Sequence, residues 1–324
     1  MNKFYSVFVD DRYYFDFVAL YNSWKYYENK IPLKVYVHNG MRNTDKLNKI
    51  QKVCKVVYVD RGDMNDNNYL GKALFKYVGL LQHMDDIEIV LDADMLFLSN
   101  MDYLFDYVEE GKIIGSVENN WITHHACYNG NVEQWEIINQ NTKNELRKFI
   151  GDEIDNYTLD FKNKTYNGGF LGFNKKKHSY LLEETIKILC NEYKEQKNPL
   201  FSNEQYMMSF LIAIHNEEVH ELPYLEWMNT WNSHRTPNKI IKVDNGKLTL
   251  FNEGGNRINL YHFTGDIAMI PKGKDSPHSC RMHNIYEHFV PGIEFDKSDV
   301  EELWLDRHQN PVILLYEYFV NKGL

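Results

Sequence analysis

Apolar and polar positions follow two rhythms along the first hundred residues. Short apolar runs at Phe4–Val9, Leu33–His38, Lys55–Val59 and Ile87–Leu91 read as strands. The stretches between them, Asp11–Glu28, Asp45–Val53 and Tyr69–His83, carry helical spacing. In the last of these Leu70, Leu74, Val78 and Leu81 fall at i, i+4, i+8 and i+11. Asn39-Gly40 stops the second strand. The β-α-β-α-β-α-β order predicts a mainly parallel sheet with helices on both faces. Ligands of such sheets sit beyond the carboxyl ends of the strands.

The middle is less regular. Thr165–Asn174 reads as a strand holding Gly168 and Gly169, and His178–Lys194 and Asn203–His215 read as helices. Lys239–Val243 and Lys247–Phe251 flank Asp244-Asn245-Gly246, a hairpin signal. Ile258–Phe263 is a further strand. After Pro271 comes loop chemistry, then helical spacing at Lys297–Arg307 and Pro311–Asn321. No repeat or linker stands out. The expected organisation is one α/β body over residues 1–275 with a helical extension over 276–324.

Charge narrows the function. Lys and Arg number 36 against 46 Asp and Glu, a net charge of −10. A broad nucleic-acid surface is therefore not expected. An acidic protein that binds a polyphosphate must neutralise it locally, with a metal or a few lysines. Aromatic residues make up 15%, which fits either biased amino-acid usage or a surface that stacks on rings. The four cysteines form no CxxC pair, so no zinc ribbon or redox motif is present. No apolar run is long enough to span a bilayer. Met1-Asn2-Lys3 runs straight into a strand, with no signal-peptide pattern, so a cytoplasmic chain with free thiols is expected.

The most informative segment is Ile87-Glu-Ile-Val-Leu-Asp92-Ala-Asp94-Met-Leu-Phe-Leu98. An apolar strand runs into two carboxylates and out into another apolar run. At i and i+2 in extended chain, Asp92 and Asp94 share one face. Burying two like charges together costs several kcal/mol unless a cation compensates. A hard divalent ion is the natural partner; a polar strand end with capping aspartates is the plainer reading. A haloacid-dehalogenase-type phosphatase also uses Asp-x-Asp, but there it closes the first strand and is followed by Thr or Val. Here it closes roughly the fourth and is followed by Met95.

Four blocks in order across about residues 4–266 resemble the retaining glycosyltransferases of family 8, the group of glycogenin and bacterial lipopolysaccharide galactosyl- and glucosyltransferases. They are Val7-Phe-Val-Asp10-Asp11-Arg-Tyr13; Phe75-Lys76 leading to Val90-Leu-Asp92-Ala-Asp94 and Asn100-Met-Asp102-Tyr-Leu-Phe105; Tyr166-Asn167-Gly-Gly-Phe-Leu-Gly-Phe-Asn174 followed by Asn203-Glu204-Gln205; and Tyr261-His262-Phe-Thr-Gly265. The resemblance implies the GT-A nucleotide-diphospho-sugar transferase fold. It also implies transfer of a hexose, glucose or galactose, from a UDP-sugar to a hydroxyl of a carbohydrate or other acceptor.

Residue by residue, Asp92 and Asp94 match the family's metal pair and His262 its third protein ligand, a set that suits Mn²⁺ or Mg²⁺. Asp10 and Tyr13 match the positions that hold the uracil; as plain structure Asp10 or Asp11 would be a helix cap and Tyr13 a core tyrosine. Lys76 matches a basic residue at the sugar or phosphates, with Lys72 one turn earlier. Asn167, Gly168 and Gly169 match the segment beside the transferred sugar, or form a simple bulge. Gln205 matches the residue nearest the β-face of the anomeric carbon, and Glu204 an acid on sugar hydroxyls. An amide is a poor nucleophile, which favours a same-face route, while the adjacent glutamate keeps a covalent one open.

Gly265 continues the diphosphate block, but the family's following lysine is Ala268 here and its Pro-Trp is absent. Lys272 or Lys274 would have to supply that charge. Trp121, His124, His125, Tyr128, Trp227 and Trp231 are candidates for stacking on an acceptor, or packing residues. The alternative to an enzyme is a decayed nucleotide-sugar or carbohydrate-binding protein, in which Asp92, Asp94 or His262 would be lost early; all three are present.

Overall fold

The computed structural model describes residues 1–11, 13–38, 41, 44–60, 69–119, 140, 143–144, 147–148, 151–156, 164–195, 204–222, 227–229, 239–244, 246–252, 254–262, 315 and 318–324. The mainly parallel seven-stranded sheet is built from β1 (Lys3–Phe8), β2 (Leu33–His38), β3 (Lys55–Val59), β4 (Ile87–Leu91), β6 (Ile113–Asn119), β7 (Thr165–Asn174) and β8 (Val219–Leu222), in the order β3-β2-β1-β4-β7-β6-β8. Helices flank it, and the fold is the GT-A α/β arrangement. Strands β1 and β2 are parallel, as are β6 and β8, while β6 and β7 are antiparallel. A three-stranded sheet combines β5 (Met95–Phe97), β9 (Trp227–Asn229) and β13 (Leu260–His262) in the order β5-β13-β9. Another combines β10 (Lys239–Asp244), β11 (Lys247–Asn252) and β12 (Arg257–Ile258). Among the described residues no helix is long and apolar enough to cross a membrane.

The chain divides into two compact units. The first, Met1–Lys3, Val59–Val90 and Phe105–Leu222, holds α3 (Tyr69–His83), α4 (Leu104–Glu109, from Phe105 on), α5 (Lys175–Glu195) and α6 (Glu204–Ile214). In α3 the expected stripe is displaced. Leu74, Phe75, Tyr77 and Leu80 are buried, whereas Val78 and Leu81 are only partly so. The helix packs against α5 and also reaches β7 through Lys76 on the Gly168 carbonyl, so a single-sided stripe understates what it covers. β7 is buried on both faces, from Thr165 to Phe173.

The second unit, Phe4–Tyr58, Leu91–Leu104 and Pro223–Leu324, holds α1 (Tyr14–Tyr26) and α2 (Thr44–Val53). Strand β5 lies on α1. The Phe97 N–H donates to Ser23 Oγ at 3.1 Å, and the Tyr5 and Phe97 rings meet edge-on with centroids 5.1 Å apart. The β10–β11 hairpin turns at Gly246, whose φ of +75° is readily adopted only without a side chain. The single strand expected at 258–263 is instead split: β12 ends at Ile258 and β13 starts at Leu260. At Asn259 the chain changes partners, its carbonyl accepting the Leu98 N–H at 2.9 Å. The tail returns to α1: Asn22 donates both amide hydrogens, to the Phe319 and Gly323 carbonyls at 2.9 Å each. Of the expected C-terminal extension, residues 276–314 lie outside the described residues.

Candidate metal centre and donor site

Asp92 and Asp94 lie between two apolar strands. β4 is buried along its whole length and ends at Leu91; β5 starts at Met95 and is buried throughout. Residues 93–94 form a turn. The carboxylates therefore share a side because the chain turns between two strands that packing holds fast, not because an extended strand alternates.

The register of β5 against β13 supplies the third group. The strands are antiparallel with Met95 opposite His262, which sets the imidazole beside Asp94. His262 Nε2 lies 3.2 Å from Asp94 Oδ1 and 3.5 Å from Asp92 Oδ2. One ligand atom from each residue falls within 4.8 Å of the others. The imidazole is buried, with 4% of its side chain exposed, while the carboxylates are 33% and 19% exposed. The cluster is thus closed on the histidine side and open on the carboxylate side. Two carboxylate oxygens and an imidazole nitrogen converging this closely form a donor set for a divalent ion, with room for ligands from solution.

Asp10 and Tyr13 follow β1. Its end is fixed by the Val9 N–H on the Tyr36 carbonyl at 3.0 Å. Asp10 does not cap α1 in the expected way. The cap position is Tyr13 itself, without a side-chain cap, and its N–H donates to Asp10 O at 3.2 Å and Oδ1 at 3.3 Å. A residue that sequence reasoning missed fastens the same loop. Lys46, in the first turn of α2, donates to the Asp11 carbonyl at 2.9 Å and lies 5.2 and 5.5 Å from the Tyr14 and Phe15 ring centres. Nothing in its spacing sets it apart from the other α2 lysines; only the fold brings it there.

The first unit gathers Lys76, Asn167, Gly168 and Gln205. The buried Lys76 ammonium donates to the Gly168 carbonyl at 3.0 Å, and the Gly168 N–H donates to Gln205 Oε1 at 3.2 Å. Asn167 Oδ1 accepts the Gly169 N–H at 2.9 Å. Two side chains expected at the sugar therefore hold the peptide groups flanking Gly168. Ser209 seats α6 on β7, accepting the Tyr166 N–H at 3.0 Å and donating to the Gln205 carbonyl at 2.7 Å. Tyr166 donates its hydroxyl to Glu221 at 2.9 Å. Burial, with the Glu221 charge beside it, raises the phenol well above its usual range, so it stays protonated. Glu204 opens α6; its side chain, and Gly265, Ala268, Lys272 and Lys274, lie outside the described residues. So do Trp121, His124, His125, Tyr128, Trp231 and the side chains of Lys72 and Trp227.

No protein-family model matches the chain, and no curated protein matches it. Solved structures do. The galactosyltransferase LgtC, in complex with donor and acceptor sugar analogs, aligns over 81% of this chain and 87% of its own at 13% identity, with a TM-score of 0.52. Mouse xyloside xylosyltransferase 1, in its apo form, aligns over 81% of this chain and 98% of its own at 14% identity, with a TM-score of 0.45. At this identity the likeness to LgtC speaks for the fold.

Proposed function

We propose that this chain is a metal-dependent retaining glycosyltransferase that moves a hexose, glucose or galactose, from a UDP-sugar to a hydroxyl of a carbohydrate or other acceptor. The observation that carries the reading is the convergence of Asp92, Asp94 and His262 just past the end of β4, in a chain with the GT-A arrangement. Ligands of open α/β sheets gather at that end of the strands. Mn²⁺ or Mg²⁺ bound there would neutralise the charge that develops on the departing diphosphate.

The chain's own groups do the rest. Asp10 and Tyr13 take the uracil, on a loop fastened by Tyr13 N–H on Asp10 and by Lys46 on the Asp11 carbonyl. Asn167, Gly168 and Gln205 form the sugar wall, and Lys76 holds it by the Gly168 carbonyl. Such fastening fixes the wall before substrate arrives, which is where positioning gains its rate. Gly265 and Lys272 serve the diphosphate. Gln205 accepts a backbone N–H and is an amide, which supports the same-face route over attack by this side chain; Glu204 is the candidate nucleophile for a covalent one.

The test is UDP release from UDP-glucose and UDP-galactose with and without Mn²⁺ or Mg²⁺. Metal-dependent release, abolished in Asp94→Ala, is expected. Absence of hydrolysis or transfer from either donor with either metal would overturn the reading.

A further inference from the structure

A cavity of ≈ 550 Å³ lies within the second unit, lined among others by Glu28, Lys30, Tyr103, Lys247, Arg257 and Asn259. It sits at the other end of the β5–β13 ribbon from the metal cluster. That cluster is at the Met95–His262 pair; the cavity is beyond Phe97–Leu260, where Leu98 bonds to Asn259. Its size suits a sugar ring or two.

The frame of the cavity is stitched together. The Asn100 amide donates to the Glu28 carbonyl at 2.8 Å, the Lys30 N–H to Asp102 at 2.5 Å, and the Met101 N–H to Asn29 Oδ1 at 2.8 Å. The Leu248 N–H donates to the Tyr26 hydroxyl at 2.9 Å. Each of these bonds runs between a side chain and the backbone, and together they join three chain segments. The cationic side chains that line the space are satisfied less well. Arg257 reaches Asp244 and the Leu98 carbonyl only at 3.4 Å each, and its buried Nε has no hydrogen-bond partner among the described residues. Lys247 is paired with Glu28 at 3.2 Å, a carboxylate 68% exposed. The Lys30 side chain is paired with no described residue. In a chain of net charge −10, three of the four charged lining groups are cations. Tyr103, 44% exposed, presents an aromatic ring at the same wall.

We propose that this cavity binds an anionic monosaccharide, a sugar ring bearing a carboxylate or phosphate. Lys30, Lys247 and Arg257 take the charged group, and the Tyr103 ring packs on the sugar face. A guanidinium with only long bonds gains most from a compact oxyanion, since charge-assisted hydrogen bonds are about twice as strong as neutral ones. The stitched frame means that little ordering is needed on binding. Such binding does not depend on transferase activity.

Calorimetry on the full chain, with neither metal nor nucleotide present, tests it with four probes: glucose 6-phosphate, glucuronate, glucose and inorganic phosphate. At least one charged sugar is expected to bind about tenfold or more tighter than both glucose and inorganic phosphate. The two charged sugars tell phosphate from carboxylate recognition. Lys30→Gln with Lys247→Gln, both at solvent-accessible side chains, and separately Arg257→Gln, should each weaken that binding about tenfold or more. If Arg257→Gln does not fold, the double lysine variant decides. No heat from either charged sugar up to about 10 mM, equal binding of glucose or phosphate, or unchanged affinity in the double lysine variant would overturn the proposal.

Discussion

Replacing Asp94 by Asn separates a metal centre from a merely polar strand end, because it moves two observables in opposite directions. In the metal-free protein two carboxylates and one imidazole crowd within 4.8 Å. Like charges at that distance repel by about 1 kcal/mol in water and about 3 kcal/mol at an effective dielectric of about 20. The His262 imidazole, 3.2 and 3.5 Å from the two carboxylates, offsets part of this repulsion and leaves about 1 kcal/mol. Asparagine has the same shape and still offers an oxygen to His262, so the metal-free variant should be as stable as wild type or about 1 kcal/mol more stable. With metal the order reverses. An ion at about 100 times its dissociation constant stabilises the wild type by about 2.7 kcal/mol. Unfolding entropy of about 2.1 cal/mol/K per residue, scaled to 324 residues, converts that to a rise in Tm of about 4 °C. Loss of an anionic ligand costs at least about 100-fold in affinity, so the variant should show almost no rise at the same concentration. The assay is a thermal melt with and without Mn²⁺, with Ca²⁺ as a control. Equal metal-induced shifts in wild type and variant would refute the assignment of Asp94. So would a metal-free variant that is several degrees less stable, because the carboxylate would then be holding the fold instead of waiting for a cation.

Two further predictions follow from the first unit. His178 is fully buried, its Nδ1 accepts the Asn174 N–H at 3.0 Å, and burial pushes its pKa down to about 4. The Glu217 carboxylate, 3.7 Å from Nε2, pulls the other way and Lys177 opposes it, but burial dominates. An unfolded histidine titrates near about 6.5, so between there and pH 4 the unfolded chain takes up a proton that the folded chain refuses. Its contribution is therefore complete above the unfolded value and falls by up to about 3 kcal/mol toward pH 4. Urea unfolding from pH 7 to 4 should show that slope, flattened in His178→Gln; an identical slope in the variant would rule the histidine out as its source. At Gly115 an added Cβ would lie 2.6 Å from Tyr166 Cδ1, and that ring is tethered by its hydroxyl to Glu221. Gly115→Ala should lower stability by about 1–3 kcal/mol, read as a drop in the urea midpoint; an unchanged midpoint would show that the ring can move aside.

What the sequence determined by itself is local. Leu33–His38, Lys55–Val59, Tyr69–His83, Ile87–Leu91 and Thr165–Asn174 are legible to the residue, because each is a run whose period matches its element and whose ends carry polar stops. The Asp92–Asp94 pair stands out as charge at the end of a buried strand. Less regular pieces such as β5, three residues long, and β8, whose residues are mostly half-buried, lack a period to read. Tertiary structure alone decided three things. The turn after Leu91, pinned between β4 and a strand seated on Ser23 and Tyr5, aims the two carboxylates the same way. The antiparallel register of Met95 with His262 brings an imidazole to them from far along the chain. Packing of α3 and α6 brings Lys76 and Gln205 to the peptide groups on either side of Gly168. Period and punctuation are written into neighbouring residues, whereas register between distant strands depends on which faces must be buried together, and no stretch of the chain carries that information alone.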